Sequence, residues 1–191
     1  MRRVVVIGVL LALGLGTWWF GVGAKPQVPS YLARMGGDFT VQSSAGSVTL
    51  SDFHGRVVLL YFGYSHCPDV CPATLNTMAA AMRLLNADEQ QQVQGLFVSL
   101  DPHRDSPQKL RAYTKFFSTQ LMGATAQKQV LDAIAQQWHF SYHVPEHPKN
   151  QFYVVTHPNF LYVVNRDGKL AALLDEKNTP NEVVKEIRKW L

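Results

Sequence analysis

The stretch Arg56 to Tyr64, RVVLLYFGY, runs into Ser65-His66-Cys67-Pro68-Asp69-Val70-Cys71-Pro72, and no other part of the chain constrains its fold as strongly. An apolar run without alternation marks a strand buried on both faces, which requires a sheet covered on each side. Downstream, Cys71, Leu75, Met78, Met82 and Leu85 recur at spacings of four, three, four and three, the stripe of a helix that packs by one face. Strand, short loop and helix in this order define an α/β unit with both cysteines at its junction.

The same logic extends along the chain. Gly95 to Asp101, GLFVSLD, reads as a second buried strand, and Ser106-Pro107 opens a helix with a capping serine and a proline at its first position. Another helix is predicted over Gln127 to Trp138, with Val130, Leu131, Ile134 and Trp138 on one face. Gly37 to Gln42 and Ser47 to Leu50 form a predicted hairpin, as do Asn159 to Val164 and Lys169 to Leu174 around Arg166-Asp167-Gly168. Thr179-Pro180-Asn181-Glu182 is a capping box for a final helix. The sum is a three-layer α/β domain with a mixed central sheet, without internal repeats.

A chain of 191 residues has room for one such domain and an appendage. The appendage is Val4 to Ala24, twenty-one residues without a charge, preceded by Arg2 and Arg3 and carrying Trp18 and Trp19 near its end. That length spans one hydrocarbon core as a helix, and the flanking charges place the rest of the chain outside the cytoplasm. Val22-Gly23-Ala24 resembles a signal-peptide cleavage site, but the apolar run exceeds the usual core of a signal peptide, so an uncleaved anchor is expected. The expected organisation is an anchor over 1–24, a proline-containing tether over 25–35 and the folded domain over 36–191. No Arg- and Ser-rich transit segment precedes the apolar run, which favours a bacterial inner membrane with the domain in the periplasm. Of the net charge of +4, Arg2 and Arg3 supply two; sixteen basic against fourteen acidic residues remain, too little for a nucleic-acid surface.

Cys67 and Cys71 are the two cysteines of the chain. Residues four apart on a helical turn lie about 6 Å apart by rise, compatible with either a disulfide or a shared metal ion. A helix N-terminus favours the thiolate that metal binding and disulfide exchange both need. A purely structural disulfide is the plain alternative in an exported protein, although so small a loop constrains little chain entropy. Further metal ligands would come from the histidines at 54, 66, 103, 139, 143, 147 and 157, most of which must be incidental.

YFGYSHCPDVCPATL at 61–75 resembles the Sco/SenC copper chaperones, whose mark is a strand ending in C-P-D-x-C-P. SLDPHRDSPQKLRAY at 99–113 is similar to the family's D-P-x-R-D-T-P segment, and THPNFLYVVNRDGK at 156–169 to its D-H-S segment. The resemblance covers about Gly36 to the end. It implies a thioredoxin-like fold in which Cys67, Cys71 and His157 bind one copper ion per chain. It also implies a role in assembling the dinuclear copper A centre of cytochrome c oxidase, whose copper A subunit would be the partner. Two thiolates suit Cu(I), and an added imidazole produces a set that also holds Cu(II). Zinc fits such a set less naturally.

Thr156 replaces the aspartate that commonly precedes the family histidine, Pro158 the serine that follows it, and Asn165 a later aspartate. A carboxylate beside an imidazole raises its basicity and fixes its orientation, so its loss predicts weaker Cu(II) binding. His66 reads as solvent-facing or hydrogen-bonded rather than ligating. Asp101, Arg104 and Asp105 read either as a turn and helix cap or as groups that shape the loop facing the cysteines. The segment 140–152, with His143 and His147, reads as an exposed insertion bordering the site.

Three functions fit these residues. A membrane-anchored chaperone would take copper from an unidentified donor and pass it on by ligand exchange. A thiol-disulfide reductase would keep the cysteines of the copper A site reduced through Cys67 and Cys71, drawing on an unidentified reductant. A binding module would sense copper or redox state without transferring anything.

Overall fold

The protein is described by a computed structural model covering residues 26–145 and 153–191. The anchor expected over 1–24 and His147 lie outside the described residues. No helix among the described residues is long and apolar enough to cross a membrane.

Seven strands of the described residues form one mixed sheet: β1 (Thr40–Ser43), β2 (Gly46–Thr49), β3 (Val57–Gly63), β4 (Val93–Ser99), β5 (Leu121–Thr125), β6 (Leu161–Val164) and β7 (Leu170–Leu174), in the order β2-β1-β5-β4-β3-β6-β7. β3, β4 and β5 are parallel, with Tyr61 beside Phe97 and Phe97 beside Gly123, and the remaining pairings are antiparallel. The helices are α1 (Val70–Leu84), α2 (Ala87–Gln91), α3 (Pro107–Phe117), α4 (Lys128–Gln137) and α5 (Pro180–Trp190).

Every residue of β3 is buried, as its unbroken apolar run predicts. Its side chains divide between two helical layers. On one face Tyr61 stacks on Phe97, which meets Tyr113 of α3, and the stripe of α1 inserts Cys71, Leu75, Met78 and Met82. On the other, Phe62 is ringed by Phe39, Trp138, Phe140 and Tyr162 at centroid distances of 4.6 to 6.3 Å. Aromatic pairs of this kind contribute about 0.5–1.5 kcal/mol each beyond their burial. The three-layer arrangement therefore follows from the two faces of one strand.

Two elements carry no clear sequence signal. β5 is a short LMGAT whose centre, Gly123, lies so close to α3 that a Cβ would fall 2.7 Å from the Leu110 carbonyl oxygen. Its burial depends on that helix, which periodicity within the strand does not reveal. α2 buries no residue and is held by a reciprocal cap between Asn86 and Glu89. The expected caps are in place: Ser106 accepts from the Lys109 N–H before Pro107, and Thr179 and Glu182 cap α5 reciprocally.

Candidate metal centre

β3 delivers its chain to the C-terminal edge of the parallel strands, where open α/β sheets place their sites. Gly63 ends the strand without a side chain, and a Cβ there would meet Cys71 Sγ at 2.8 Å and the Phe97 ring at 2.9 Å. The helix begins only at Val70, so Cys67 lies in the preceding loop and not on a helical turn with Cys71. Both remain thiols in this structure; Cys67 is 9% exposed and Cys71 fully buried.

The third arm is the irregular segment ahead of β6. It brings His157 Nε2 to 3.5 Å from Cys71 Sγ, and the candidate ligand atoms of Cys67, Cys71 and His157 all lie within 4.8 Å of one another. No other cluster of this kind occurs among the described residues. His157 Nδ1 lies 2.9 Å from the Pro158 carbonyl oxygen, which can only accept, so Nδ1 carries the proton and the Nε2 lone pair is left for a ligand role. The backbone of Pro158 thus orients the imidazole. The rings of Tyr61 and Tyr64 meet this imidazole edge-on.

The electrostatics of the two sulfurs differ. Burial pushes the Cys71 thiol up to about 12, against the backbone donor near Tyr64. Burial also opposes ionisation of Cys67, but the Asp69 and Cys71 N–H groups outweigh it and hold that thiol below its ordinary value. The thiolate-favouring effect expected for both cysteines therefore reaches Cys67, the one outside the helix. Burial lowers the His157 pKa despite the Pro158 carbonyl, so the imidazole is neutral at pH 7.

Around these three groups lie residues not singled out from the sequence above. Tyr61 donates to Asn159 Oδ1 at 2.8 Å, and its hydroxyl is 3.7 Å from Cys71 Sγ. Asn159 in turn donates to Glu176. Tyr61 could have been found by parity, since it shares a strand face with Gly63; nothing in the sequence marks Asn159.

The 101–105 segment is more than a turn. Asp105 is fully buried and accepts from the Ser65 N–H at 2.8 Å, the Ser65 hydroxyl and the Ser99 hydroxyl. It thereby fixes the loop that leads to Cys67. Arg104 pairs with buried Asp101, and both reach Tyr153 on the histidine arm. His66 is 47% exposed and turned toward Ser65 and Asp105, away from the cluster. His143 is exposed; its backbone exchanges hydrogen bonds of 2.8 and 3.0 Å with Thr156, bracing the histidine arm. Asn165 accepts from the Asp167 and Lys169 N–H groups, a turn role between β6 and β7. His157 also forms a wall of an open groove of about 430 Å³ with Met35, Phe140 and Phe160, which leaves the imidazole reachable from solvent.

The family described as SCO1/SenC matches residues 28–191. Protein sco1 of Schizosaccharomyces pombe is 31% identical over 157 residues, covering 81% of this chain and 60% of its own length. The solution structure of apo Sco1 from Thermus thermophilus shares 32% identity over 88% of this chain and 100% of that one, with a TM-score of 0.76. Bradyrhizobium japonicum ScoI with copper bound shares 29% identity over 82% of this chain and 99% of that one, with a TM-score of 0.74.

Proposed function

This chain belongs to the SCO1/SenC family, and from that premise we propose that Cys67, Cys71 and His157 bind one copper ion and that the protein hands it on during assembly of the copper A centre of cytochrome c oxidase. The observation that carries the reading is the convergence of two sulfurs and an imidazole nitrogen within 4.8 Å, the nitrogen bearing no proton. Soft thiolates select Cu(I), and the imidazole extends the set to Cu(II). The copper-bound relative from Bradyrhizobium japonicum supports copper as the cargo. Cys71 lies in the interior while Cys67 and His157 are nearer the surface, so an incoming partner ligand meets the cargo from their side and Cys71 releases last.

The domain is read as held at a bacterial inner membrane by residues 4–24, with its copper site in the periplasm and the copper A subunit as recipient. The uncharged segment behind Arg2 and Arg3 supports that placement. Protease added to spheroplasts should degrade the domain; protection would reverse the topology.

One observation favours a second activity at the same residues. A rim thiol held below its ordinary value beside a buried thiol held above it is the division of labour of a dithiol reductant, with Cys67 attacking and Cys71 resolving. Titration of the reduced, detergent-solubilised full chain with Cu(I) and Cu(II) decides between the two. One copper per chain, with a sulfur-to-Cu(II) band that His157→Ala removes, is the chaperone result. Rapid cycling with a dithiol partner and no retained copper is the reductase result.

A further inference from the structure

The connection between β4 and α3 places three charged side chains in the interior, Asp101, Arg104 and Asp105, at 0, 7 and 0% exposure. Burying charge is costly, and a buried ion pair is weak as a source of stability. What these groups touch is more informative. Asp105 grips the cysteine arm through Ser65, whereas Asp101 and Arg104 grip the histidine arm through Tyr153, with the Arg104 guanidinium also 5.6 Å from the centroid of the Tyr64 ring just past β3.

That grip has three points. The Arg104 guanidinium lies over the Tyr153 ring at 3.4 Å from its centroid. Its Nη1 donates to the Tyr153 carbonyl at 3.0 Å. Asp101, paired with Arg104 through one carboxylate oxygen, accepts the Tyr153 hydroxyl through the other at 2.8 Å. Ring face, main chain and hydroxyl are thus fixed together, leaving Tyr153 no freedom to turn or slide. From there Val155 is buried and Thr156 is paired with the His143 backbone, so the arm reaches His157 in a set register.

We propose that the Arg104–Asp101 pair is a positioning latch that holds His157 over the two cysteines and so sets the preference of the site between Cu(II) and Cu(I). The proposal rests on the copper-binding reading above. Two thiolates suffice for Cu(I), whereas Cu(II) draws on the imidazole. Releasing the latch at Tyr153 therefore withdraws the third ligand while Asp105 and α1 still hold the sulfurs; Arg104, which also lies near the Tyr64 ring beside Cys67, is the less selective place to release it.

The test uses the full chain, with Arg104→Gln, Tyr153→Phe and Tyr153→Leu beside His157→Ala. In the metal-free protein, NMR contacts of the His157 ring with the rings of Tyr61 and Tyr64 should be strong in the native chain and weakened in Arg104→Gln and Tyr153→Leu. On copper titration, these variants should lose about ten-fold or more in Cu(II) affinity, the usual scale for a group that orients a metal ligand. Their Cu(I) affinity should stay within about three-fold, because the thiolates carry it. Tyr153→Phe, which keeps the ring and carbonyl contacts, should fall between. Added imidazole should restore the Cu(II) band in both Arg104→Gln and His157→Ala, a rescue that general loosening of the fold would not permit. If Arg104→Gln fails to fold, the two Tyr153 variants carry the comparison. The latch is overturned if the His157 ring keeps its native contacts with Tyr61 and Tyr64 in the variants, or if both copper affinities fall together in the Tyr153 variants. Failure of the native chain to hold copper would instead overturn the copper-binding reading, and the metal-free spectra would still judge the latch.

Discussion

The cysteine arm and the histidine arm meet at one point but are built by opposite means. The first runs from a fully buried strand into a helix, and regular elements place most of it: Gly63 makes room for Cys71, and the first turn of α1 holds it, while Asp105 ties the loop between them at Ser65. The second has no regular structure over residues 153–160 apart from one bridge, and contacts from far along the chain hold it, the Arg104–Asp101 grip on Tyr153 and the His143 backbone on Thr156. A ligand on a regular element is secured by the packing of the core. One on an irregular segment is only as well placed as the polar contacts that tie it down.

The comparison can be sharpened, beginning with the largest effect. Within the cysteine arm, alkylation of the metal-free chain should distinguish the two thiols by more than about a hundredfold at pH 7, since the thiolate is the reactive form. Cys67, held below its ordinary value, should gain reactivity early as pH rises, while Cys71 stays protonated until about 12. Peptide mass mapping against pH checks this, and equal labelling would contradict it. Next, Asp105→Ala should cost about 3 kcal/mol, because it strands the buried Ser99 hydroxyl and frees the half-buried Ser65 donors. Cu(I) and Cu(II) affinity should then fall together, in contrast to release of the histidine arm. Denaturant unfolding and copper titration read the two effects.

Gly63→Ala should destabilise by roughly 1–3 kcal/mol through overpacking against Cys71 and Phe97, and weaken binding of both copper ions. A variant of native stability would show that the strand end yields more readily than its contacts indicate. Tyr61→Phe, which removes the bond to Asn159, should cost about 1 kcal/mol in thermal unfolding while copper stoichiometry stays at one. The smallest effect belongs to His66→Ala: within about 0.5 kcal/mol, and no change in copper binding, as befits an exposed side chain turned toward Asp105. Loss of copper there would bring His66 into the ligand set.

The two arms also differ in how far the sequence discloses them. The buried run of β3, the stripe of α1 and the cysteine spacing are local patterns, and they locate the strand, the helix and the sulfurs with errors of a residue or two at the ends. One inference from spacing failed: Cys67 lies ahead of the helix, because the turn of Pro68 and Asp69 delays its start until Val70. His157 was singled out by its resemblance to a family position, and no periodicity would have chosen it among seven histidines. Tyr153 and Asn159 left no trace in the sequence, since their roles exist only once β4, α3 and the segment before β6 are brought together. β5 escaped for the same reason, its burial being supplied by α3 across Gly123. The substitutions Thr156 and Pro158 are resolved by the main chain, with the Pro158 carbonyl accepting the hydrogen bond of Nδ1–H and Thr156 pairing with His143.

The central claim, that the two arms together hold one copper ion, is tested most directly by X-ray absorption at the copper edge on the Cu(II)-loaded full chain and on His157→Ala. Two sulfur ligands with an imidazole nitrogen in the native chain, and loss of that imidazole signature in the variant, is the predicted result. An unchanged first coordination sphere in His157→Ala, or a native chain whose copper shows no sulfur scattering, would contradict it.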